Sequence, residues 1–367
     1  MTKDKDMFES YDPRQGKRLQ IMDEAGNIDS SIKDIPLMND NDILVAYKYM
    51  SKARVVDEWS VNLNRQGRLP TYPPSKGQEA NSVGSLMALN QDDWFVPAYR
   101  ELGGMLYRGI PLSRLYQVWL GNEKGSHFEI EKYHTFPISV PIASQCLHAV
   151  GAAYANLFLK NNRVTICFVG DGGTSEGDFL EALNVAGTWN IPLIFYIQNN
   201  QWAISVPRNK QTRSATLAEK AFAFGFEGVQ VDGNDVLSVF AATKMAKDKA
   251  LKNQGPTLIE GYTYRLGAHT TADDPTIYRK QEEVEQWVAK DPLLRLEKYL
   301  LNKNLIDEST INSLKEDYKK EFLKEFELAE NAPPHTVEEI FAWQFKQIPE
   351  DMKEQMNLLN LRLKGSM

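Results

Sequence analysis

Cysteine is almost missing: Cys146 and Cys167 are the only two in 367 residues, and they form no CxxC pair. This excludes a disulfide framework and a zinc ribbon, and it fits a reducing, cytoplasmic setting. Long apolar runs are also missing. None approaches the roughly 18 to 20 residues needed to span a bilayer, and the first forty residues mix Lys, Asp, Glu and Pro without an apolar secretory core. No membrane association and no secretion are expected. Positive charge is in deficit, with 42 Lys and Arg against 49 Asp and Glu and a net charge of −7. A chain with that balance has no basic footprint for nucleic acid. Five scattered histidines lack zinc-ligand spacing, and there is no internal repeat.

What is present is enough apolar material, 42% of the chain, for a sizeable core. Punctuation by Gly, Pro and capping residues predicts three parts: an extended charged arm over 1–40, an α/β domain over 41–280, and a helical extension over 281–367 packing on that domain and on a partner subunit. A long helix is expected over 41–66. Short helical pieces follow between Pro70 and Gly121, the first opened by a capping box of Ser75 and Gln78. Ile142, Cys146, Val150, Ala153 and Leu157 make a helical stripe over 141–160. Strands and helices then alternate: a strand over 163–169, a helix over 176–189 with a second capping box of Ser175 and Asp178, a strand over 192–197, helices near 216–224 and 235–253, and strands near 228–232 and 257–264. The fold class is α/β, a mostly parallel sheet flanked by helices. Beyond Gln281 amphipathic helices are expected, with Thr336 and Glu339 opening one more before a short tail.

Parallel sheets bind ligands beyond the carboxyl ends of their strands. Gly170, Asp171, Gly172 and Gly173 follow the first long strand there, and Asn199, Asn200, Gln201 and Trp202 follow the second. Asp171 offers a charged hard oxygen and Asn200 a neutral one, a pair suited to an Mg²⁺ whose other ligands are diphosphate oxygens and water. The glycines let backbone approach phosphate, and the next helix begins with free N–H groups. The dinucleotide fingerprint fits poorly, since Ser175 stands where its third Gly belongs, and no phosphate-binding G-x-x-x-x-G-K-[ST] occurs.

Gly170-Asp171-Gly172 with Asn199-Asn200, Asp171 and Asn200 being 29 positions apart, resembles the thiamine diphosphate and Mg²⁺ motif. Leu63-Asn-Arg-Gln-Gly-Arg68, Gly77-Gln-Glu-Ala80 and Gly267-Ala-His-Thr-Thr-Ala-Asp-Asp-Pro275 resemble alpha subunits of 2-oxoacid dehydrogenases, over most of the chain from about residue 40. The resemblance implies a thiamine-diphosphate-binding fold. It implies Mg²⁺ on the side chains of Asp171 and Asn200 and on the carbonyl of Trp202. Tyr99 and Arg100 would reach the diphosphate, and the backbones of Val140 and Ile142 the aminopyrimidine, with the Ile side chain propping the cofactor. His269, in a loop with Arg265, Asp273, Tyr278 and Arg279, would be the active-site histidine and His127 a second, with His134 as the other candidate for that place. Tyr72 would line the substrate pocket. Ser139, Pro141, Ser144 and Gln145 resemble a K⁺ site of branched-chain members, and a plain helix start explains them equally well.

The implied activity is oxidative decarboxylation of a 2-oxoacid with transfer of the acyl group to a lipoyl acyltransferase component. The family places a cofactor-activating glutamate on a beta subunit, so an α2β2 heterotetramer is expected and the isolated chain should be inactive. The wording, with Ala98 before Tyr99, sides with pyruvate-type members. A branched-chain or broad-range enzyme is the alternative, followed by acetoin dehydrogenase and a non-catalytic scaffold.

Overall fold

The structure, a computed structural model, describes residues 7–342 and 344–365. Its centre is a five-stranded, wholly parallel sheet of β1 (Trp94–Val96), β2 (Thr165–Gly170), β3 (Leu193–Asn199), β4 (Glu227–Asp232) and β5 (Thr257–Tyr262), in the order β1-β2-β3-β5-β4. β2 and β3 are buried on both faces, which is why they read as continuous apolar runs rather than as alternation. Cys167, Val169, Phe195 and Ile197 turn to one side, where helices α3 (Ser144–Phe158) and α4 (Gly177–Trp189) pack. Ile166, Phe168, Ile194 and Tyr196 turn to the other, toward α2 (Glu79–Met87) and α5 (Val236–Leu251). Each such side chain contributes about 1.5–3 kcal/mol on burial.

The 26-residue helix α1 (Asp40–Arg65) is capped by the Asn39 side chain, which accepts from the Asp42 N–H. It packs on α2 and on the later helices α6 (Pro292–Asn302) and α7 (Glu308–Glu330), and the apolar core on this side runs unbroken from Met7 to Ala329. The N-terminal segment, expected as an extended arm, lies along its own sheet. Leu19 bridges Val231 in parallel, and the N–H groups of Ile21 and Met22 donate to Asp235 Oδ2 at 2.7 and 2.9 Å. Its first six residues lie outside the described ones.

Several local expectations differ. Neither early capping box forms: the Ser75 hydroxyl donates to Asp57 instead, and α4 begins without a side-chain cap because residues 172–175 wind into a 3-10 turn. Thr336 and Glu339 do cap each other, at 2.8 and 3.2 Å. The 218–224 piece is 3-10 rather than α-helical, β1 and a small hairpin pairing Trp202–Ala203 with Val206–Pro207 were unforeseen, and the expected tail contains a 14-residue helix, Glu350–Leu363. Among the described residues no helix is long and apolar enough to cross a membrane.

Candidate active site

β2 and β3 are in register with Val169 beside Ile197 and Gly170 beside Gln198, so the two polar loops leave the sheet side by side at its carboxyl edge. A cavity of about 250 Å³ opens there. It is lined by Tyr99, Arg100, Ile142, Gly170, Asp171, Gly172, Gly173, Asn200, Trp202 and His269, which brings most of the expected residues into one place. Asp171 is 2% exposed and accepts from Gln211 Nε2 at 3.1 Å. Burial pushes its carboxyl up to about 6, against the Gln211 bond and the Arg265 charge. Asn200 donates to Gln78 Oε1 at 2.9 Å, while its own Oδ1 accepts from the Trp202 N–H at 3.2 Å. The Trp202 carbonyl accepts from Arg265 Nη1 at 3.3 Å.

Arg100 is buried, with Nη1 donating to the Pro74 carbonyl at 2.7 Å and Nη2 to the His269 carbonyl at 2.7 Å and to His269 Nδ1 at 2.9 Å. The His269 N–H donates to Asp273 Oδ2 at 2.8 Å, and Asp273 also accepts from the Tyr278 hydroxyl. Burial, then the charges of Arg100 and Arg265, lower the imidazole to about 4, with Asp273 opposing. Arg265, 1% exposed, is lowered to about 10 by burial and then by Arg100, and it ties the hairpin to this loop through Ile204 O and Tyr278 Oη.

Four expected residues sit elsewhere. His127 is exposed at the end of a 3-10 turn and is not part of the cavity wall, and His134 caps a short helix against Trp94. Val140, 57% exposed, stands outside the lining, two residues before Ile142. Tyr72 is buried behind the wall, stacked on Tyr116, its hydroxyl donating to Asp57 at 2.6 Å; it lines a small side pocket that shares Tyr99 and Arg100 with the main cavity. At the start of α3 the hydroxyls of Ser139 and Ser144 bond each other at 2.7 Å, and Ser144 also donates to the Pro141 carbonyl at 2.8 Å.

Further polar residues line the cavity, among them Gln145, which the resemblance offers as part of a K⁺ site. Gln78, Gln145 and Gln198 come from three separate segments, and each keeps one buried amide atom without a partner: Nε2 of Gln78 and Oε1 of the other two. Glu101, next to Arg100, accepts from Gln198 Nε2, and burial pushes its carboxyl up to about 7. Unpaired buried polar atoms are costly, and their convergence on one cavity marks a place for a polar ligand. A Cβ on Gly170 would meet nothing within 4 Å and so would project into open space, as expected where backbone cradles a ligand. Among the described residues no group of three or more His, Cys, Asp and Glu could hold a metal ion. Any cation here relies on one carboxylate with neutral oxygens, a donor set that suits a hard ion sharing a ligand's phosphates.

A parallel α/β sheet with an acidic glycine loop and an asparagine loop at adjacent strand ends defines a cofactor-dependent enzyme of the phosphate-binding class. The family described as the dehydrogenase E1 component matches residues 47–338, and this chain belongs to it. It is 40% identical over 341 residues to the pyruvate dehydrogenase E1 component subunit alpha of Staphylococcus aureus strain Mu50, covering 93% of this chain and 92% of that one. It is 44% identical over 317 residues to the 3-methyl-2-oxobutanoate dehydrogenase subunit alpha of Mycobacterium tuberculosis strain H37Rv, covering 86% of each. The chain is thus an alpha subunit of the 2-oxoacid dehydrogenase E1 family.

Proposed function

We propose that this chain, paired with a beta subunit as α2β2, carries out thiamine-diphosphate- and Mg²⁺-dependent oxidative decarboxylation of pyruvate and passes the acetyl group to a lipoyl acyltransferase component. The observation that supports this most is the meeting of Asp171, Asn200, Arg100 and His269 around one cavity at the ends of β2 and β3. Asp171, Asn200 and the Trp202 carbonyl would hold Mg²⁺, and Gln78 Nε2 offers a buried donor beside them. Thiamine diphosphate supplies, when bound, a nucleophilic carbon and an electron sink for decarboxylation.

The chain's own residues then divide the work. Arg100 presents fixed guanidinium donors for phosphate oxygens. Ile142 offers an apolar prop at the rim. His269, held by Arg100 and by Asp273, handles a proton at its ring; an anion in the cavity would raise its pKa toward neutrality, where proton transfer is most effective. Gly172 packs against Ala203, where a Cβ would come within 2.6 Å, so the loop stays close to the hairpin.

A branched-chain 2-oxoacid is the second reading. It is favoured by the converging oxygens of Ser139, Pro141 and Ser144, a K⁺-type cluster, and by the 44% identity to the mycobacterial relative. The test is dye reduction by the chain purified with its beta partner, with pyruvate or 3-methyl-2-oxobutanoate, with and without Mg²⁺ and thiamine diphosphate, and with Asp171→Ala. Cofactor-dependent turnover that vanishes in the variant supports the assignment, and the substrate ratio chooses between the readings. No turnover with either acid in a verified α2β2 assembly refutes it.

A further inference from the structure

Asp57 lies on α1, 1% exposed and outside the cavity wall, yet its carboxylate is fully engaged. Oδ1 accepts from the Tyr72 hydroxyl at 2.6 Å, and Oδ2 accepts from the Ser75 N–H and hydroxyl at 2.8 and 2.9 Å. One carboxylate therefore clamps both ends of the segment Tyr72-Pro73-Pro74-Ser75. The two prolines restrict the segment's backbone, so with its ends held it moves as a unit. Burying a carboxylate is costly, and burial pushes this one up to about 7 even with the hydroxyls of Tyr72 and Ser75 opposing. What it holds touches the site twice. The Pro74 carbonyl takes Arg100 Nη1 at 2.7 Å. Tyr72 exchanges two bonds with Thr271, its carbonyl accepting from the Thr271 N–H at 2.9 Å and its own N–H donating to Thr271 Oγ1 at 3.1 Å. Both routes end at His269: Arg100 grips its carbonyl and ring, and Thr271 lies two residues along its loop.

We propose that Asp57 is a positioning residue that sets Arg100 and the His269 loop through the Tyr72–Ser75 segment; this rests on the functional reading above. The neighbouring ion cluster is a separate anchor. Arg54 pairs with Glu79 at 2.5 Å and Asp291 at 2.9 Å, and Glu79 accepts from the Gly77 N–H, so the chain beyond Ser75 is held independently of Asp57.

The experiment uses the α2β2 holoenzyme with pyruvate. Asp57→Asn preserves size but places an NH₂ against donors. Displacement of catalytic groups by about an ångström lowers kcat by roughly 10- to 100-fold, with KM changed by less than about threefold. The decisive readout is a double-mutant cycle with His269→Ala. If Asp57 acts through His269 and Arg100, Asp57→Asn costs less than about threefold once His269 is gone, whereas a merely structural loss adds in full. Hydrogen exchange over 267–273 in the cofactor-free assembly should quicken at the Thr271 amide. Tyr72→Phe, which removes one of the three clamping bonds, serves if Asp57→Asn fails to assemble, with a smaller loss and the same non-additivity. Additive losses, or an unchanged kcat with unchanged exchange, overturn the proposal. If wild-type enzyme shows no thiamine-dependent turnover, the functional reading fails instead, and the exchange of Thr271 still decides whether Asp57 sets the loop.

Discussion

His269 should be neutral at pH 7 in the cofactor-free protein, with its hydrogen on Nε2. Arg100 Nη2 stands 2.9 Å and Arg265 Nη1 3.4 Å from Nδ1, and a guanidinium can only donate, so Nδ1 is the acceptor nitrogen. Burial and the two arginines bring the ring to about 4. Between about 6.5, the ordinary histidine value, and about 4, an unfolded chain takes up a proton that the folded chain refuses. The folded state therefore loses stability as pH falls through that window and keeps the full benefit above it. The whole shift corresponds to about 3 kcal/mol, reduced to about 2 kcal/mol by screening at a ring partly open to water. Arg100→Gln removes the nearest charge and should raise the midpoint by on the order of one unit, leaving the larger burial contribution in place. The assay is an NMR titration of histidine-labelled protein, with the His269 signal identified by its loss in His269→Gln. An ordinary histidine midpoint in the wild type, or no rise in Arg100→Gln, would refute the reasoning.

Gly170→Ala and Gly173→Ala should part company. At Gly170 a Cβ meets nothing within 4 Å, so melting should stay near wild type while calorimetry shows thiamine diphosphate binding weakened; at Gly173 it would lie 2.5 Å from Val169 Cγ2, and overpacking of that kind costs about 1–3 kcal/mol in unfolding experiments. Arg295→Met should loosen the N-terminal segment. Arg295 is 1% exposed and joins the Met22 carbonyl at 2.8 Å to Asp232 at 2.9 Å, so its loss strands a largely buried carboxylate at about 3–5 kcal/mol, and limited proteolysis near Met22 should accelerate. Purified without a beta subunit, the chain should self-associate in sedimentation runs through the exposed rings of Tyr154, Phe158 and Trp189, and replacing Phe158 and Trp189 with Gln should reduce this.

The two central strands were legible because buried parallel strands carry unbroken apolar runs, here bounded by Gly170 and Pro192. β1 was not. Three residues, Trp94–Val96, hold no periodicity, and only register against Thr165–Cys167 makes them a strand. Ser75 resembled a helix cap because its spacing to Gln78 is right, but the buried Asp57 carboxylate, 18 places back in the chain, competes for the same hydroxyl, and sequence spacing cannot show that. Asp171, Asn200, Trp202, Arg100 and His269 stand out in short motifs, and the fold brings them to one cavity. That Gln78, Gln145 and Gln198 share this cavity was not readable, even with Gln145 offered for a K⁺ site, since an amide has no characteristic spacing and these three converge only after folding. Glu101 stood in plain view beside Arg100; its signal was the chemistry of a carboxylate with nowhere to go but inward. His127, a motif position carried over where the local wording diverges, lies outside the cavity wall.

The cavity is finished on one side only. At the sheet it has buried donors and acceptors, while its outer rim is apolar and open, with Ile142 and Ile204 about half exposed. Ile142 leads directly into α3, whose outer face continues as Leu147, Tyr154 and Phe158, and Tyr154 packs on Trp189 of α4 at 4.8 Å. Rim and helix face are thus one apolar surface, larger in extent than scattered exposed residues. If the proposed beta subunit covers these helices it also closes the cavity, and cofactor binding and assembly would then draw on the same contacts. Such coupling is reciprocal: the factor by which the partner tightens the cofactor is the factor by which the cofactor tightens the partner. On the proposed reading the chain alone should bind thiamine diphosphate more weakly than the α2β2 assembly does, which calorimetry on the two forms would check, and equal affinities would refute the coupling.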